Sequence, residues 1–501
     1  MNDLGEEIVK AFFAEYGMVR HHIDSFNRFM EKGMQVVVDE TGELLPAIIP
    51  QGAKEYRIKF GKIAIGNPVV KEADGSMNKI YPSEARVRQI TYEAPITLEL
   101  FVEQDGVRKD PVLTEIGSLP IMLKSSPCYL SKLSPRDLVE NGEDPSDPGG
   151  YFVINGTERV LIAIEDLGPN TPLLETKKSG PVTHAARLFS EAPGIRIPHL
   201  FERLHDGTVR VSFGRISKLP VGVLQMALGL ESDEEIGNAI SENEELAEDV
   251  MVNLETIEEC KTIEDALDWI GRQLKIGQGK EYRVQRVQEL IDQYLLPHIG
   301  RAPGARREKA IYLGKVTERL IKLHYGLLKD DDKDHYSNKR LKLAGELMEQ
   351  LFRAAFKAMV NDMKYSFERI TKRGREPPIE TIVRSQLLTG RLQSALATGY
   401  WVGSRTGVSQ HLQRLNYLDT LSHLRRVLSP LTTSQPHFEA RELHPTHWGK
   451  LCASETPEGQ NIGLRKNLAL IARVTHGSDD EPIRKFLFSA GVEPAIREGS
   501  K

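Results

Sequence analysis

The stretch of this chain richest in side chains that could do chemistry runs from Gly407 to Ile471. Its centre reads Arg441-Glu-Leu-His-Pro-Thr-His-Trp-Gly-Lys450, followed by Glu455-Thr-Pro-Glu-Gly-Gln-Asn-Ile-Gly463. The prolines and glycines predict short turns and no helix longer than a turn or two. The side chains suited to holding a polyanion are Arg441, His444, His447, Lys450, Gln460, Arg465 and Lys466. A rigid, turn-rich segment of this composition predicts a binding site built on a scaffold.

Two adjacent arginines, Arg425 and Arg426, precede this centre in the run Ser422-His-Leu-Arg-Arg426. Adjacent arginines after a helical stretch can simply form an exposed helix face. Guanidinium groups are also suited to two-pronged contacts with phosphate. Arg414 adds to the cations of the segment, whose own acidic residues are Asp419, Glu439, Glu442, Glu455 and Glu458. We therefore interpret the segment as a nucleic-acid-binding surface.

Two clusters could suggest a metal site. Asp330-Asp-Asp-Lys-Asp-His335 concentrates carboxylates but lacks the central glycine and the closing glutamate of a calcium loop. We predict an exposed loop there that caps the following helix. His444, His447 and Cys452 could be zinc ligands, but two histidines across a proline are poorly placed for one zinc, and the sequence offers no fourth ligand. We expect these histidines to fix the turn by hydrogen bonds, and we predict no metal bound by this chain.

The length and the charge limit the number of domains and the kinds of surface that the chain can have. A chain of 501 residues exceeds one hydrophobic core and should form about two to four domains. The net charge is −5, but residues 231–265 hold fourteen acidic residues and one lysine, which leaves +8 for the rest. Exposed charges separated by more than about 10 Å barely sense each other. The acidic block, interpreted as a solvated helical face, does not exclude a basic surface elsewhere.

The cysteines and the hydropathy pattern indicate a cytoplasmic protein. Cys128, Cys260 and Cys452 are odd in number and far apart, which excludes a disulfide framework. No apolar run approaches the roughly 20 residues of a membrane span, and the first residues do not resemble a signal peptide. We expect a reducing compartment and no membrane partner.

The elements that must position the site are a mixture of helices and strands. Apolar residues at threes and fours predict helix over 5–33, and similar spacing predicts helices over 339–370 and 379–398. Alternation and β-branched runs predict strands over 56–70, 81–92, 96–101, 119–123, 151–163 and 209–213. Asn155-Gly156 predicts a tight hairpin within the fifth of these strands. The buried face of the 339–370 helix should hold Leu343, Leu347, Leu351, Phe356, Met359, Val360 and Met363.

The turn-rich segment resembles the fork region of the second-largest, beta-like subunit of multisubunit DNA-directed RNA polymerases. This resemblance is carried by Gly407-Val-Ser-Gln410, Leu421-Ser-His-Leu-Arg-Arg426, His444-Pro-Thr-His-Trp-Gly449 and Glu455-Thr-Pro-Glu-Gly459. Other motifs follow the family's order along nearly the whole chain: Asp24-Ser-Phe-Asn27, Tyr81-Pro-Ser-Glu-Ala-Arg86, Leu119-Pro-Ile-Met122, Gly150-Tyr-Phe-Val-Ile-Asn-Gly156, Asp334-His335 and Lys339-Arg-Leu341. The sequence looks most like the archaeal and eukaryotic branch.

The resemblance implies a multidomain α+β protein with mixed α/β protrusion, lobe and fork domains. On this pattern the protrusion takes residues 1–168 and 346–405, the lobe takes 169–345 and the fork takes 406–485. Residues 486–501 would begin a region continued on a partner chain.

The resemblance also implies roles for particular residues. Gln410, Arg425, Arg426 and Arg441 match fork positions that line the template and the RNA–DNA hybrid. Arg441, Glu458 and Gln460 match positions close to the active centre, and the loop 428–438 matches the one that meets downstream duplex. The catalytic aspartates and their Mg²⁺ would belong to the largest subunit and Zn²⁺ to partner chains. No catalytic residue and no bound cofactor are therefore expected in this chain, which should be inactive alone.

The end of the sequence departs from the fused form of the subunit. The hybrid-binding lysine region and the zinc ribbon that follow the fork there have no counterpart before Lys501. This resembles the split arrangement of some archaea, although a piece of a fused subunit would look the same. The expected partners are the DNA template, the RNA–DNA hybrid, the chain carrying the C-terminal half, the largest subunit and the other polymerase subunits. The alternative is a non-catalytic nucleic-acid-binding or assembly factor that reuses the fold.

Overall fold

A computed structural model describes residues 2–475, 477 and 480–492. Its helices, in chain order, are α1 Asn2–Tyr16, α2 Arg20–Arg28, α3 Met34–Thr41, α4 Pro82–Val87, α5 Pro135–Glu140, α6 Val221–Ala227, α7 Asp233–Ile240, α8 Ala247–Glu255, α9 Ile263–Gln273, α10 Lys280–Tyr294, α11 Arg306–His324, α12 Ala344–Thr371, α13 Ile379–Ile382, α14 Ser385–Thr398, α15 Tyr417–Leu424, α16 Phe438–Arg441 and α17 Glu481–Ser489. In these residues no helix combines the length and the apolar character that crossing a bilayer requires.

The strands of the same residues are short to medium in length. In chain order they are β1 Glu43–Leu44, β2 Tyr56–Ile65, β3 Val69–Lys71, β4 Met77–Lys79, β5 Glu93–Gln104, β6 Val107–Arg108, β7 Val112–Pro120, β8 Phe152–Ile154, β9 Thr157–Leu161, β10 Ala163–Leu167, β11 Leu173–Thr176, β12 Val182–Ala192, β13 Ile195–Leu204, β14 Val209–Phe213, β15 Ile216–Pro220, β16 Lys339–Lys342, β17 Ser409–His411, β18 Arg426–Leu428 and β19 Arg465–Asn467. The mixture of helices and mainly antiparallel sheets confirms the α+β class.

The first unit packs the N-terminal helices and two sheets against α12 and α14. Its larger sheet has the order β1-β2-β5-β6, with β7 on the other edge of β5, and a smaller sheet has the order β17-β9-β8. The predicted stripe of α12 from Leu343 to Met363 is buried in this core. Gly345 allows the closest approach, because a Cβ there would lie 2.0 Å from the carbonyl oxygen of Ser25. Residues far apart in sequence therefore share one core.

The second unit is contiguous in sequence. Strands β11 to β15 form an antiparallel meander in chain order, and α6 to α11 cover it. The buried residues of its core run from Leu174 to Leu323 and form a cluster separate from the first unit's core. Between the two units lies a four-stranded sheet, the central sheet, with the order β16-β10-β18-β19. Its strand β10 pairs in parallel with β18 and antiparallel with β16.

Several predicted elements are confirmed. The predicted hairpin turns at Asn155 and Gly156, whose φ angles of 48° and 75° are those of a type I′ turn. The strand over 209–213 has the predicted bounds. The first helical region is confirmed in type, but Gly17, with φ of 62°, divides it and its last turn lies at Thr41.

Four predicted elements are wrong in part. The strand predicted over 119–123 ends at Pro120. The strand predicted over 81–92 contains α4, because Pro82 stands in its first turn, where the missing N–H costs nothing, and Glu84 follows in the same turn. The helix predicted over 339–370 begins only at Ala344, since Lys339–Lys342 pair with β10 as β16. The helix predicted over 379–398 is interrupted between Ile382 and Ser385.

Candidate nucleic-acid interface

The turn-rich segment folds as predicted into short elements around two strands of the central sheet. Its longest helix, α15, has eight residues and is preceded by the N-cap residue Asn416, whose side chain accepts a hydrogen bond from the backbone N–H of Asp419. The chain then forms β18, a long loop, α16, two single 3₁₀ turns and β19. Antiparallel pairing sets Val427 opposite Lys466 and Leu428 opposite Arg465. This two-stranded pair therefore decides which side chains face the interior.

The inner face of the pair carries a closed network of charges. Lys466, which is 6% exposed, donates to Glu165 of β10 at 2.7 Å, and Lys339 of β16 donates to the same carboxylate at 3.3 Å. The hydroxyl of Ser429 also donates to Glu165. Burial opposes ionisation of Glu165, but the two ammonium groups and these hydrogen bonds outweigh it and lower the pKa of the carboxyl. Lys466, grouped from its sequence with the polyanion-binding cations, is neutralised inside the protein.

The outer face of the same pair carries two arginines without an acidic partner. Residues directly opposite and diagonal across strands share a face, so Arg426 and Arg465 lie on the side away from Lys466. Neither guanidinium makes an ion pair or a hydrogen bond with any residue the structure describes. Burial, and then repulsion from Arg465, lowers the pKa of Arg426 against the weaker opposing attraction of Asp419 and Glu455. This is a preformed cationic surface whose donors are not used by the protein itself.

Arg425 has the opposite environment although it is adjacent in sequence. It is 8% exposed. Its guanidinium donates to the backbone carbonyls of Met18 at 2.7 Å, Ala469 at 2.6 Å and Leu470 at 3.1 Å. Arg425 therefore joins the first unit to the residues that follow β19 through these hydrogen bonds.

Arg441 is also engaged by the backbone. Its guanidinium makes five hydrogen bonds, and their acceptors are the carbonyl oxygens of Thr433, Gln435, Pro436, Gln460 and Ile462. Gly463 completes the contact, because a Cβ there would lie only 2.2 Å from the carbonyl oxygen of Arg441. An arginine has five N–H donors, so this side chain fixes the loop after β18 against the Thr456–Gly463 turn.

Gln410 joins the outer face through a histidine. Its side-chain oxygen lies 3.2 Å from Nε2 of His423, and its amide nitrogen donates to the carbonyl of Gly407 at 3.0 Å. His423 is buried, and burial, followed by repulsion from Arg426, lowers its pKa to about 4. The buried, neutral His423 thus contacts the partly exposed amide of Gln410 and lies within the electrostatic reach of Arg426.

The Glu455–Gly463 turn stands exposed beside this surface. The hydroxyl of Thr456 holds it by donating to the carbonyl of Arg465 at 2.9 Å and accepting from the N–H of Gly463 at 2.9 Å. The side chain of Glu458 is exposed and has no partner among the described residues, so the structure does not pair it with the neighbouring cations. Gln460 is exposed as well and contributes its backbone carbonyl to Arg441.

The two clusters considered for metals have other contacts. His444 lies 2.7 Å from the hydroxyl of Thr446 and 2.8 Å from Asp332, so the prediction that it fixes the turn is confirmed. The Asp330–His335 loop was predicted to cap the helix that follows, and it does cap a helical turn, but a 3₁₀ turn rather than the long helix: the side chain of His335 accepts from the N–H of Ser337, and β16 comes next. Asp331 accepts from the N–H of Leu174 at 2.9 Å. Among the described residues, no three His, Cys, Asp or Glu side chains converge as metal ligands would.

The sequence alone missed the partners of the cations. Arg414 contacts Asp147 at 2.8 Å and Glu158 at 2.7 Å, and both acids lie more than 250 residues earlier in the chain. Arg465 was counted among the cations, but nothing in its neighbours distinguishes it from Lys466. The two residues differ only because successive side chains of β19 face opposite sides of the sheet. A strand of three residues is too short to show this alternation in the sequence.

Comparison of the sequence with known proteins identifies the family of this chain. The model of the RNA polymerase beta subunit family matches residues 17–390, and the model of RNA polymerase Rpb2, domain 3, matches residues 410–474. DNA-directed RNA polymerase subunit Rpo2N of Methanocaldococcus jannaschii is 46% identical over 495 residues, which cover 97% of this chain and 98% of that protein. The corresponding subunit of Halobacterium salinarum is 44% identical over 504 residues, covering 97% of this chain and 95% of that protein.

A longer relative matches equally well. DNA-directed RNA polymerase subunit Rpo2 of Saccharolobus shibatae is 46% identical over 490 residues, which are 97% of this chain but 43% of that protein. This chain thus spans less than half the length of the Saccharolobus relative and nearly all of the Methanocaldococcus one. Both the family models and these relatives show that the chain belongs to the RNA polymerase beta subunit family.

Proposed function

We propose that this chain is a subunit of a DNA-directed RNA polymerase and forms part of the surface that holds the template and the RNA–DNA hybrid during RNA synthesis from ribonucleoside triphosphates. The observation that carries the proposal is the pair of unpartnered arginines, Arg426 and Arg465, on the outer face of the β18–β19 pair. A polymerase must hold any sequence, so its contacts should go to phosphates and sugars rather than to base edges. Arginines whose donors form no ion pair or hydrogen bond within the protein suit that task.

The contacts proposed for each residue follow from its environment. Arg426, Arg465 and Gln410 present donors to a strand that lies along the outer face. Arg425 and Arg441 act by position, because their donors hold the backbone that gives this face its shape. Glu458 and Gln460 sit on an exposed turn that would border the active centre of the assembly.

The domain division belongs to the same proposal. Residues 1–168 with 346–405 correspond to the protrusion, 169–345 to the lobe and 406–485 to the fork, with 486–501 beginning a region continued on a partner chain. Two separate buried clusters support this, one built from residues 19–164 and 344–424 and one from residues 174–323.

The proposed assembly supplies what this chain does not. The partners are the chain carrying the C-terminal half of the subunit, the largest subunit and the other polymerase subunits, in the cytoplasm. The Mg²⁺ that activates the reacting oxygens is proposed for the largest subunit and Zn²⁺ for partner chains. This chain's part is to orient the nucleic acid next to that centre.

The experiment is reconstitution of the polymerase with wild-type chain or with Arg426→Ala, Arg465→Ala and the double variant. Retention of an RNA–DNA hybrid scaffold is measured as a function of salt, together with primer extension. Each lost phosphate contact should lower the slope of log affinity on log salt by about 0.7 to 0.9. The double variant should show about twice the change of either single variant.

Arg215→Ala is the matched control, because it removes one exposed, unpaired guanidinium from the turn between β14 and β15. It should leave both the scaffold lifetime and the salt slope at wild-type values. Wild-type behaviour of the double variant would refute the proposed interface, while a chain that never assembles with polymerase subunits would refute the proposed function itself.

A further inference from the structure

The second unit carries a groove that its own core does not fill. It lies between α7 and α8 and has a volume of about 520 Å³. Four side chains of α8 form its apolar floor: Ala247, Val250, Met251 and Leu254. Residues at this spacing share one face of a helix. Met251 is 60% exposed, so the floor is open to solvent rather than covered by another part of the described chain.

The opposite side of α8 anchors the helix. Asp249 and Arg203 form a buried ion pair at 2.6 Å. Asn253 accepts from the N–H of Val209 at 2.8 Å and donates to the carbonyl of Gly207 at 3.2 Å. These contacts join α8 to the sheet of the second unit, so the groove is preformed. Binding to a preformed groove costs little reordering of the protein.

The rim of the groove is strongly and uniformly acidic. Its carboxylates belong to Asp233, Glu234, Glu242, Glu244, Glu255 and Glu258. None of the six pairs with a cation among the described residues. Other acids of the same block do find partners, since Glu235 contacts Arg307 at 3.4 Å and Asp265 contacts Lys280 at 3.0 Å. Six unpaired carboxylates of the acidic block therefore surround the apolar floor.

We propose that this groove is a docking site for a basic segment of another protein, one that places apolar side chains on the α8 floor and lysines or arginines against the rim. Charge complementarity selects this occupant. Six uncompensated carboxylates repel nucleic acid, and a purely polar cation would leave the floor exposed. A segment with an apolar face flanked by cations satisfies both parts of the groove. The inference goes beyond the proposed role in RNA synthesis and does not depend on it.

The test uses the whole 501-residue chain and a synthetic fluorescein-labelled peptide in which two leucines one helical turn apart are flanked by lysines. Binding is measured by fluorescence anisotropy. Two comparison peptides replace the leucines by serine or the lysines by glutamate. We expect the leucine–lysine peptide to bind and both comparison peptides to bind at least about tenfold more weakly.

Two charge-matched triple variants decide whether the groove is the site. Glu242→Gln/Glu255→Gln/Glu258→Gln should weaken binding about tenfold. Glu245→Gln/Glu248→Gln/Glu264→Gln removes the same charge from exposed positions outside the groove and should leave binding unchanged. Met251→Ser, at an exposed position, removes apolar surface without adding charge and should weaken binding through the floor.

Equal losses in the two triple variants would show general attraction of a polycation and overturn the proposal. Binding of the serine peptide as tight as that of the leucine peptide would also overturn it, because the apolar floor would then play no part. All these substitutions are at exposed positions, so thermal unfolding of each variant should match that of the wild type.

Discussion

The two faces of the β18–β19 pair differ in how the protein treats positive charge. On the inner face, Lys466 is buried and its ammonium group is compensated by Glu165. On the outer face, Arg426 and Arg465 form no ion pair or hydrogen bond with any described residue, and Asp419 and Glu455 attract Arg426 without contacting it. Neighbouring positions of the same two strands thus carry either a cation paired inside the protein or a cation available to a ligand. A cationic side chain is available to a ligand only where the fold places no carboxylate in contact with it. Such contacts come from distant parts of the chain.

The largest expected effect is on the inner face. Glu165→Ala removes the carboxylate that pairs with the ammonium groups of Lys466 and Lys339. Removal of one member of a buried charged pair costs about 3–5 kcal/mol. The free energy of unfolding, measured with a chemical denaturant, should fall by that amount. Hydrogen exchange should speed up most in β10, β16 and β18.

The matched control on the outer face is Arg465→Ala, which removes a cation that has no partner among the described residues. It should change the free energy of unfolding by less than about 1 kcal/mol. If the two substitutions destabilise the protein equally, the distinction between the faces is wrong.

A smaller effect separates Arg425 from Arg426. Arg425→Ala should lower the free energy of unfolding by about 1–3 kcal/mol, because three partly buried carbonyls lose their donor. Arg426→Ala should leave the stability close to that of the wild type while it reduces scaffold retention. Denaturation of both variants in parallel measures the difference. A stability loss at Arg426 as large as that at Arg425 would contradict the assignment of one residue to the fold and the other to the surface.

The smallest effect is on the titration of His423. Burial and the positive field of Arg426 hold its pKa at about 4, against about 6.5 in an unfolded chain. Between these values the unfolded state binds the proton and the folded state does not, so the contribution of His423 is fully present above about pH 6.5 and is lost as the pH falls toward 4. Arg426→Ala should raise the pKa of His423, which NMR titration of the imidazole would show. An unchanged pKa would mean that the guanidinium points away from His423.

Local sequence signals predicted the elements that depend on local chemistry. The Asn155-Gly156 hairpin needs two residues that accept positive φ, and the α12 stripe needs only helical spacing. The strand Lys339–Lys342 has no such signal, because its pairing with β10, about 170 residues away, decides its conformation. Tertiary pairing overrode the helical pattern there.

The candidate interface was predictable as a segment but not residue by residue. Its turns follow from the prolines and glycines, as in the Glu455–Gly463 run. The different environments of Arg425 and Arg426 follow from the point where α15 ends and β18 begins, which a sequence pattern locates only to within a few residues. The partner of Lys466 lies about 300 residues earlier in the chain, beyond the reach of any local pattern.

The order of strands in the central sheet has a consequence for how the chain is made. Its four strands come from residues 163–167, 339–342, 426–428 and 465–467, so the sheet cannot close until residue 467 has left the ribosome. The second unit, whose strands and helices are contiguous, can collapse much earlier. Until β18 and β19 are made, Glu165 lacks Lys466, and β10 has no strand on the edge that later pairs with β18. The nascent chain must therefore pass through a half-built state with an open sheet edge, in which premature association with other chains is the chief hazard.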